Sequence, residues 1–172
     1  MAKALLVIDM LEDFLSPGGT LYIGPEAGRV IPAVAAEVNR ARSEGWTVIF
    51  VCDAHRANDR EFETFPAHCL CGSPGAAILA QLAPSPGEPV ITKRRYSAFF
   101  GTDLDLTLRE RGIDELVLVG VCTNICVLYT AADARMRNYE VTVVAQATAS
   151  FDRAAHDFAL QQMETVLGCR VK

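Results

Sequence analysis

No apolar run in this chain approaches the roughly 20 residues that a membrane-spanning helix needs, so a membrane role is not expected. A secretory leader is not expected either. Ala4-Leu5-Leu6-Val7-Ile8-Asp9 is apolar, yet it is too short for a leader's hydrophobic core with a cleavage site and reads as a strand. Basic charge is sparse. Arg and Lys stand singly apart from Lys93-Arg94-Arg95, and the net charge is −5, which argues against a nucleic-acid or anionic-membrane partner. No G-x-G-x-x-G follows the first strand, and Gly-rich phosphate loops are absent, so a dinucleotide reading is weak. Internal repeats and low-complexity segments are lacking. The cysteines do not follow zinc-finger or zinc-ribbon spacing, since Cys69-Leu70-Cys71 and Cys122…Cys126 match neither. Without a leader, reduced thiols in a cytoplasmic enzyme are a better expectation than three disulfides.

What is present is a core-forming composition. Hydrophobic residues make up 51% of 172 residues, which excludes disorder and is enough for one domain over 1–172. Buried strands are expected at Ala4 to Ile8, Thr47 to Cys52, Glu88 to Thr92, Leu116 to Val119, Glu140 to Val144 and Gly168 to Val171. Helical spacing appears from about Arg29 to Glu44, through Val30, Ile31, Val34, Val38 and Ala41, with Gly45 as the stop. Further helices are expected at Gly75 to Leu82, Asp103 to Arg111, from Val127 onward, and from about Arg153 to Val166. Strands alternating with helices predict an α/β fold: a three-layer α-β-α arrangement with a doubly wound, mostly parallel sheet.

Strand after strand finishes in a residue with chemistry: Asp9, Asp53, Lys93, and the turn that carries Cys126. In a parallel sheet these ends converge on one edge, where open α/β folds place their sites. A carboxylate, an ammonium and a thiol gathered there make a nucleophile with a base and a positive neighbour. Cys126, at or near a helix start, is expected to have a lowered thiol pKa. Each residue also has a plainer reading. Free cysteine is often a small buried hydrophobe, and Asp9 and Lys93 are ordinary exposed charges by type. Asp53-Ala54-His55 with His68 is a metal-ligand set suited to Zn, Fe or Mn. His156, in an amphipathic helix with Asp152 and Asp157 nearby, reads as a surface histidine. The stretch Asp53 to Pro74 is a long loop, and such loops are usually functional.

Together, Asp9 with Asp13-Phe14, Asp53-x-His55, Phe65-Pro66-x-His68-Cys69, Lys93-x-Arg95-Tyr96-Ser97-Ala98-Phe99 and Gly120-Val121-Cys122-Thr123-Asn124-Ile125-Cys126-Val127 resemble the isochorismatase-like cysteine hydrolases. Among these they look most like the nicotinamidases, also called pyrazinamidases. The resemblance runs from about Lys3 to Gly168. It implies a triad of Asp9, Lys93 and Cys126, and one divalent metal ion (Zn, Fe or Mn) on Asp53, His55 and His68. It implies an oxyanion hole from the backbone N–H groups of Cys122 and Cys126, and a cis Val121–Cys122 peptide. Phe14 and Phe65 would flank a small aromatic amide as substrate, and self-association is a family-level expectation.

The chain departs from the family pattern in two places. Ala54 stands where many members have Trp or Phe, and no histidine occurs from Arg56 to Ala67. Some relatives use a glutamate seven residues before the last ligand. Glu61 stands at that spacing from His68, with Glu63 as the alternative fourth ligand and a solvated acid as the plainer reading of both. The implied reaction is nicotinamide hydrolysis to nicotinate and ammonia, in NAD salvage. The enzymatic rival is an amidase of the same superfamily acting on a carbamoyl or ureido compound. A redox module pairing Cys122 with Cys126 is disfavoured, because such pairs are usually C-x-x-C.

Overall fold

The computed structural model describes residues 2–172. Six strands form one sheet: β1 Ala2–Ile8, β2 Thr47–Asp53, β3 Val90–Lys93, β4 Ile113–Val121, β5 Glu140–Ala149 and β6 Arg170–Val171. Their spatial order is β3-β2-β1-β4-β5-β6, and every neighbouring pair is parallel. The order reverses around β1, so β1, with β2 and β4 beside it, marks the switch point where such sheets hold ligands.

Helices cover both faces: α1 Glu12–Leu15, α2 Glu26–Ser43, α3 Leu104–Glu110, α4 Leu128–Met136 and α5 Arg153–Thr165. Because successive side chains of a strand point to opposite faces, β1 feeds two cores. Leu5 and Val7 pack with Val30, Val34 and Val38 of α2, together with Val48, Phe50, Val117 and Val119. Ala4, Leu6 and Ile8 pack on the other face with Leu104 and Leu108 of α3, Ala131 and Ala134 of α4, and Ala159 and Met163 of α5. Each fully buried Leu or Ile contributes about 1.5–3 kcal/mol by leaving water. The three-layer, doubly wound architecture expected from the sequence is the one observed.

Several local expectations change. The helix anticipated at Gly75 to Leu82 is instead two 3-10 turns, Pro74–Ala76 and Ala80–Leu82. Pro74, Gly75 and Pro84 leave too few residues for a cooperative α-helix. β5 runs five residues past the expected end. After a register shift beyond Leu118 it pairs Gly120 with Thr148 and Val121 with Ala149. Gly120 makes that close passage feasible: its φ is +118°, and a Cβ there would lie 2.0 Å from the Ile8 carbonyl oxygen. Only a glycine fits both constraints.

Candidate active site

The carboxyl ends of β1, β2, β3 and β4 bring their polar residues into one buried cluster, as a parallel sheet must when adjacent strands end in register. Asp53 pairs with Lys93 across β2 and β3, and Asp9 follows directly after Ile8. Lys93 Nζ lies 2.9 Å from Asp9 Oδ2, 2.5 Å from Asp53 Oδ1 and 3.4 Å from Cys126 Sγ. Asp9, Asp53, Lys93 and Cys126 are all buried. Asp9 adopts φ 50°, unusual for a side-chain-bearing residue, and its Oδ1 accepts the Asp53 backbone N–H at 2.8 Å. Its Oδ2 makes no well-aligned hydrogen bond despite the nearby ammonium.

The electrostatics follow from this crowding. Burial, aided by the Asp53 charge, raises Asp9 to a pKa of about 6, against the pull of Lys93. Burial opposes a charged Lys93, but Asp53 and Asp9 outweigh it and hold the ammonium well above its ordinary range. Burial also pushes the Cys126 thiol well above its ordinary range. Lys93 opposes this, while Asp9 and Asp53 add to it.

That last direction corrects the lowered thiol expected from a helix start. Cys126 is not at an α-helix N-terminus. It sits inside a π-helical turn, Thr123–Val127, and α4 begins only at Leu128. It is also 93% removed from solvent, being 7% exposed. The thiol therefore needs a base, and the Asp9 carboxylate lies within 4.8 Å of its sulfur.

Beside this cluster lies a second one. Asp53, His55 and His68 present ligand atoms within 4.8 Å of one another, all buried. His55 Nε2 is 3.5 Å from Asp53 Oδ2 and 3.8 Å from Glu61 Oε1. His68 Nε2 is 3.9 Å from both of those oxygens. A tetrahedral ion with ligand bonds of roughly 2.1 Å needs donor separations of about 3.4 Å, so this spacing is that of a slightly expanded tetrahedral site.

The opposite ring nitrogens are fixed, which aims each Nε2 inward: His55 Nδ1 meets Asp59 Oδ2 at 3.0 Å and His68 Nδ1 meets the Pro66 carbonyl at 2.8 Å. Such outer partners are the usual companions of ligating imidazoles. His55 Nε2 is buried with no hydrogen-bond partner, and so is Glu61 Oε2. These donors fit a divalent cation.

Burial disfavours a charged His55, but the neighbouring Asp53 and Asp59 carboxylates raise it to about 8, whereas burial and then His55 lower His68. Asp53 is pushed up by burial, yet Lys93 and His55 outweigh that and hold it below its ordinary value. Glu63 is not part of the cluster; it points to solvent and pairs with Arg60 at 3.3 Å.

Between the two clusters opens a pocket lined by Phe14, Leu21, Asp53, Glu61, Phe65, His68, Tyr96, Cys122, Ile125, Cys126 and Phe151. Phe14 and Phe65 have ring centroids 5.6 and 6.3 Å from that of His68. Both expected aromatic residues therefore stand in the wall. No Arg or Lys is among the lining residues. The Val121–Cys122 peptide is cis, as expected. Ala54 donates its N–H to the Lys93 carbonyl and does not line the pocket.

Sequence reasoning missed Asp59, Leu21, Ile125 and Phe151, and gave no role to Tyr96. Asp59 alone left a signal, lying four residues after His55. It caps the Arg60–Glu63 turn through the Glu61 N–H and accepts from Arg95 at 2.9 Å, so it sets both His55 and Glu61.

His156 is also corrected. It is 6% exposed, and its Nδ1 lies 2.7 Å from Thr123 Oγ1, tying α5 to the turn that bears Cys126. The nearby acids that made it read as a surface residue project away from that contact, with Asp157 paired to Arg153.

The sequence pattern described as the isochorismatase domain matches residues 3–170. The chain is 39% identical to the uncharacterized isochorismatase family protein PncA of Bacillus subtilis, over 99% of both chains. It is 33% identical to the ureidoacrylate amidohydrolase RutB of Methylobacterium radiotolerans, over 95% of this chain and 74% of that one. Among solved structures, it resembles a nicotinamidase/pyrazinamidase PncA from Bacillus subtilis with TM-score 0.94 and 36% identity, covering 99% of each chain. A pyrazinamidase of Pyrococcus horikoshii in complex with zinc superposes with TM-score 0.91 at 31% identity, covering 100% of this chain and 99% of that one.

Proposed function

This chain belongs to the isochorismatase family, and within it we propose a single-domain, metal-dependent cysteine amidohydrolase whose preferred substrate is nicotinamide, with pyrazinamide as an analogue. One observation carries the reading: an aromatic pocket with Cys126 on one wall and the metal-ligand set on another. A flat heteroaromatic amide presents two matching ends, a ring nitrogen and a carboxamide carbon. A divalent ion held by Asp53, His55, His68 and Glu61 would supply a Lewis-acidic anchor for the ring nitrogen. Phe14 and Phe65 would sandwich the ring and lower the entropic cost of a near-attack geometry.

Catalysis by the chain's own residues runs in two halves. Asp9 takes the Cys126 proton as the sulfur attacks the carboxamide carbon, and the backbone N–H groups of Cys122 and Cys126 hold the oxyanion. Collapse breaks the C–N bond, and Asp9 returns its proton to the departing ammonia. Asp9 then accepts a proton from water, which adds to the thioester; breaking the C–S bond releases nicotinate and restores the thiol. Lys93 stays charged throughout, offsetting Asp9 and Asp53 in the dry interior. The product acid is one that NAD salvage would consume.

The rival substrates are ureido or carbamoyl acids. Their carboxylate calls for a basic side chain, and no Arg or Lys lines the pocket. The test is ammonia release from nicotinamide, pyrazinamide, ureidoacrylate and N-carbamoylsarcosine by one preparation of known metal content. Nicotinamide should have the highest kcat/KM. A preference for either acid would transfer the protein to the ureido and carbamoyl group.

A further inference from the structure

The ligand atoms of Asp9, Asp53 and Cys126 also lie within 4.8 Å of one another, and all three residues are buried. Two carboxylate oxygens and a sulfur in a dry cavity are a donor set for a thiophilic divalent ion. Lys93 Nζ sits among them, 2.9 Å from Asp9 Oδ2, 2.5 Å from Asp53 Oδ1 and 3.4 Å from Cys126 Sγ. Asp53 faces both ways: its Oδ2 turns to His55 and His68 and its Oδ1 to Lys93. Asp9 is fully buried, and its Oδ2 points into the cluster without a well-aligned hydrogen bond. The layout is that of a carboxylate-bridged pair of cation sites with an ammonium in one of them.

We propose that Lys93 excludes metal from the nucleophile: its ammonium fills a second, sulfur-containing metal site formed by Asp9, Asp53 and Cys126. An ion so close to an outer metal cluster would otherwise be drawn to two buried carboxylates and capture the sulfur as thiolate, releasing its proton. A covalently tethered cation balances the same charges and never binds sulfur. Ammonium and metal differ in reach. Nζ holds its oxygens and sulfur by hydrogen bonds and ion pairs, whereas a zinc-sized ion would draw sulfur to about 2.3 Å. The proposal rests on the outer cluster binding metal only for the count in the wild type, not for the inner site itself.

The test is titration of metal-free protein with Co²⁺, following bound equivalents and the sulfur-to-cobalt charge-transfer band in the near ultraviolet. The wild type should bind one equivalent without the band. Lys93→Met should bind one more equivalent and show the band, Lys93→Met/Cys126→Ser should lose the band, and Lys93→Arg should bind one equivalent without the band. A folded Lys93→Met protein without the band, or a wild type that shows it, overturns the proposal.

If Lys93→Met does not fold, the wild type decides alone. Its Cys126 should remain open to iodoacetamide in zinc-saturated protein, and protection by zinc would refute the exclusion. A wild type that binds no Co²⁺, beside a Lys93→Met protein that binds one with the band, would support the Lys93 role while removing the outer metal from the proposed function.

Discussion

Asp9 combines three properties that its type rarely shows: full burial, a positive φ, and a carboxyl raised to about 6. Burial disfavours its anion, so in the proposed reaction a proton taken from Cys126 would be held closely enough to be returned to a leaving group. The sign of the pH effect follows. Above pH 6 the free enzyme carries Asp9 ionised and able to accept the thiol proton; below it Asp9 is already protonated. The kcat/KM for nicotinamide should therefore fall about tenfold per pH unit below 6. A flat acid limb down to pH 4 would remove Asp9 as the base.

Asp59 works at one remove, through His55 and Glu61. Asp59→Ala should weaken metal affinity by about 10–100-fold, read by competition with a chromophoric chelator. Activity should return at saturating metal. Loss that persists at saturation would mean that Asp59 does more than orient ligands.

At the scale of elements, the Cys126 turn is held from two sides. Gly120 lets β4 pass against the Ile8 carbonyl, and the Thr123–His156 hydrogen bond anchors the turn to α5. Both partners of that bond are buried, so removing one leaves the other unsatisfied. Thr123→Val should cost about 1–3 kcal/mol in urea unfolding. Thr123→Ser, which keeps the hydroxyl, should recover most of it. A loss confined to Thr123→Ser, with Thr123→Val as stable as the wild type, would assign the effect to packing of the methyl group instead.

These ties also show why part of the element map was hidden. β1, β2 and β4 are legible as continuous apolar runs because both of their faces are covered. The end of β5 is not, because Ala145 to Ala149 lacks such a run and is recruited only by the register shift opposite Gly120. The one-turn α1 and the 3-10 turns near Pro74 carry too few residues for any periodicity to register.

At the scale of the whole molecule, the proposed metal would couple to the fold. The Asp53–His55–His68 set joins the end of β2 to the loop that closes at Cys69, where the Cys69 N–H binds Asp13 Oδ2 at 2.7 Å. An ion bound there would tie the 53–69 loop to the sheet, a site that only the folded chain assembles. Zinc at 100 times its Kd should therefore stabilise the protein by about 2.7 kcal/mol. Thermal melts with and without chelator should show the higher Tm in zinc. Chelator should also abolish turnover, and an unchanged Tm with full activity in metal-free protein would refute the metal's role. Among the described residues, no helix is long and apolar enough to cross a membrane.

The sequence by itself determined the sheet, its layers and the convergence of Asp9, Asp53, Lys93 and Cys126, because strand ends in a parallel sheet share an edge regardless of detail. It also supplied His55 and His68 through a spaced pattern. Only the tertiary structure chose Glu61 over Glu63, since two residues along a 3-10 turn decide which acid faces the histidines. Only it made Asp59 an orienting group and turned His156 inward. The state of the sulfur was likewise a tertiary matter: position along the chain suggested an acidic thiol, while burial beside two carboxylates pushes the Cys126 thiol well above its ordinary range.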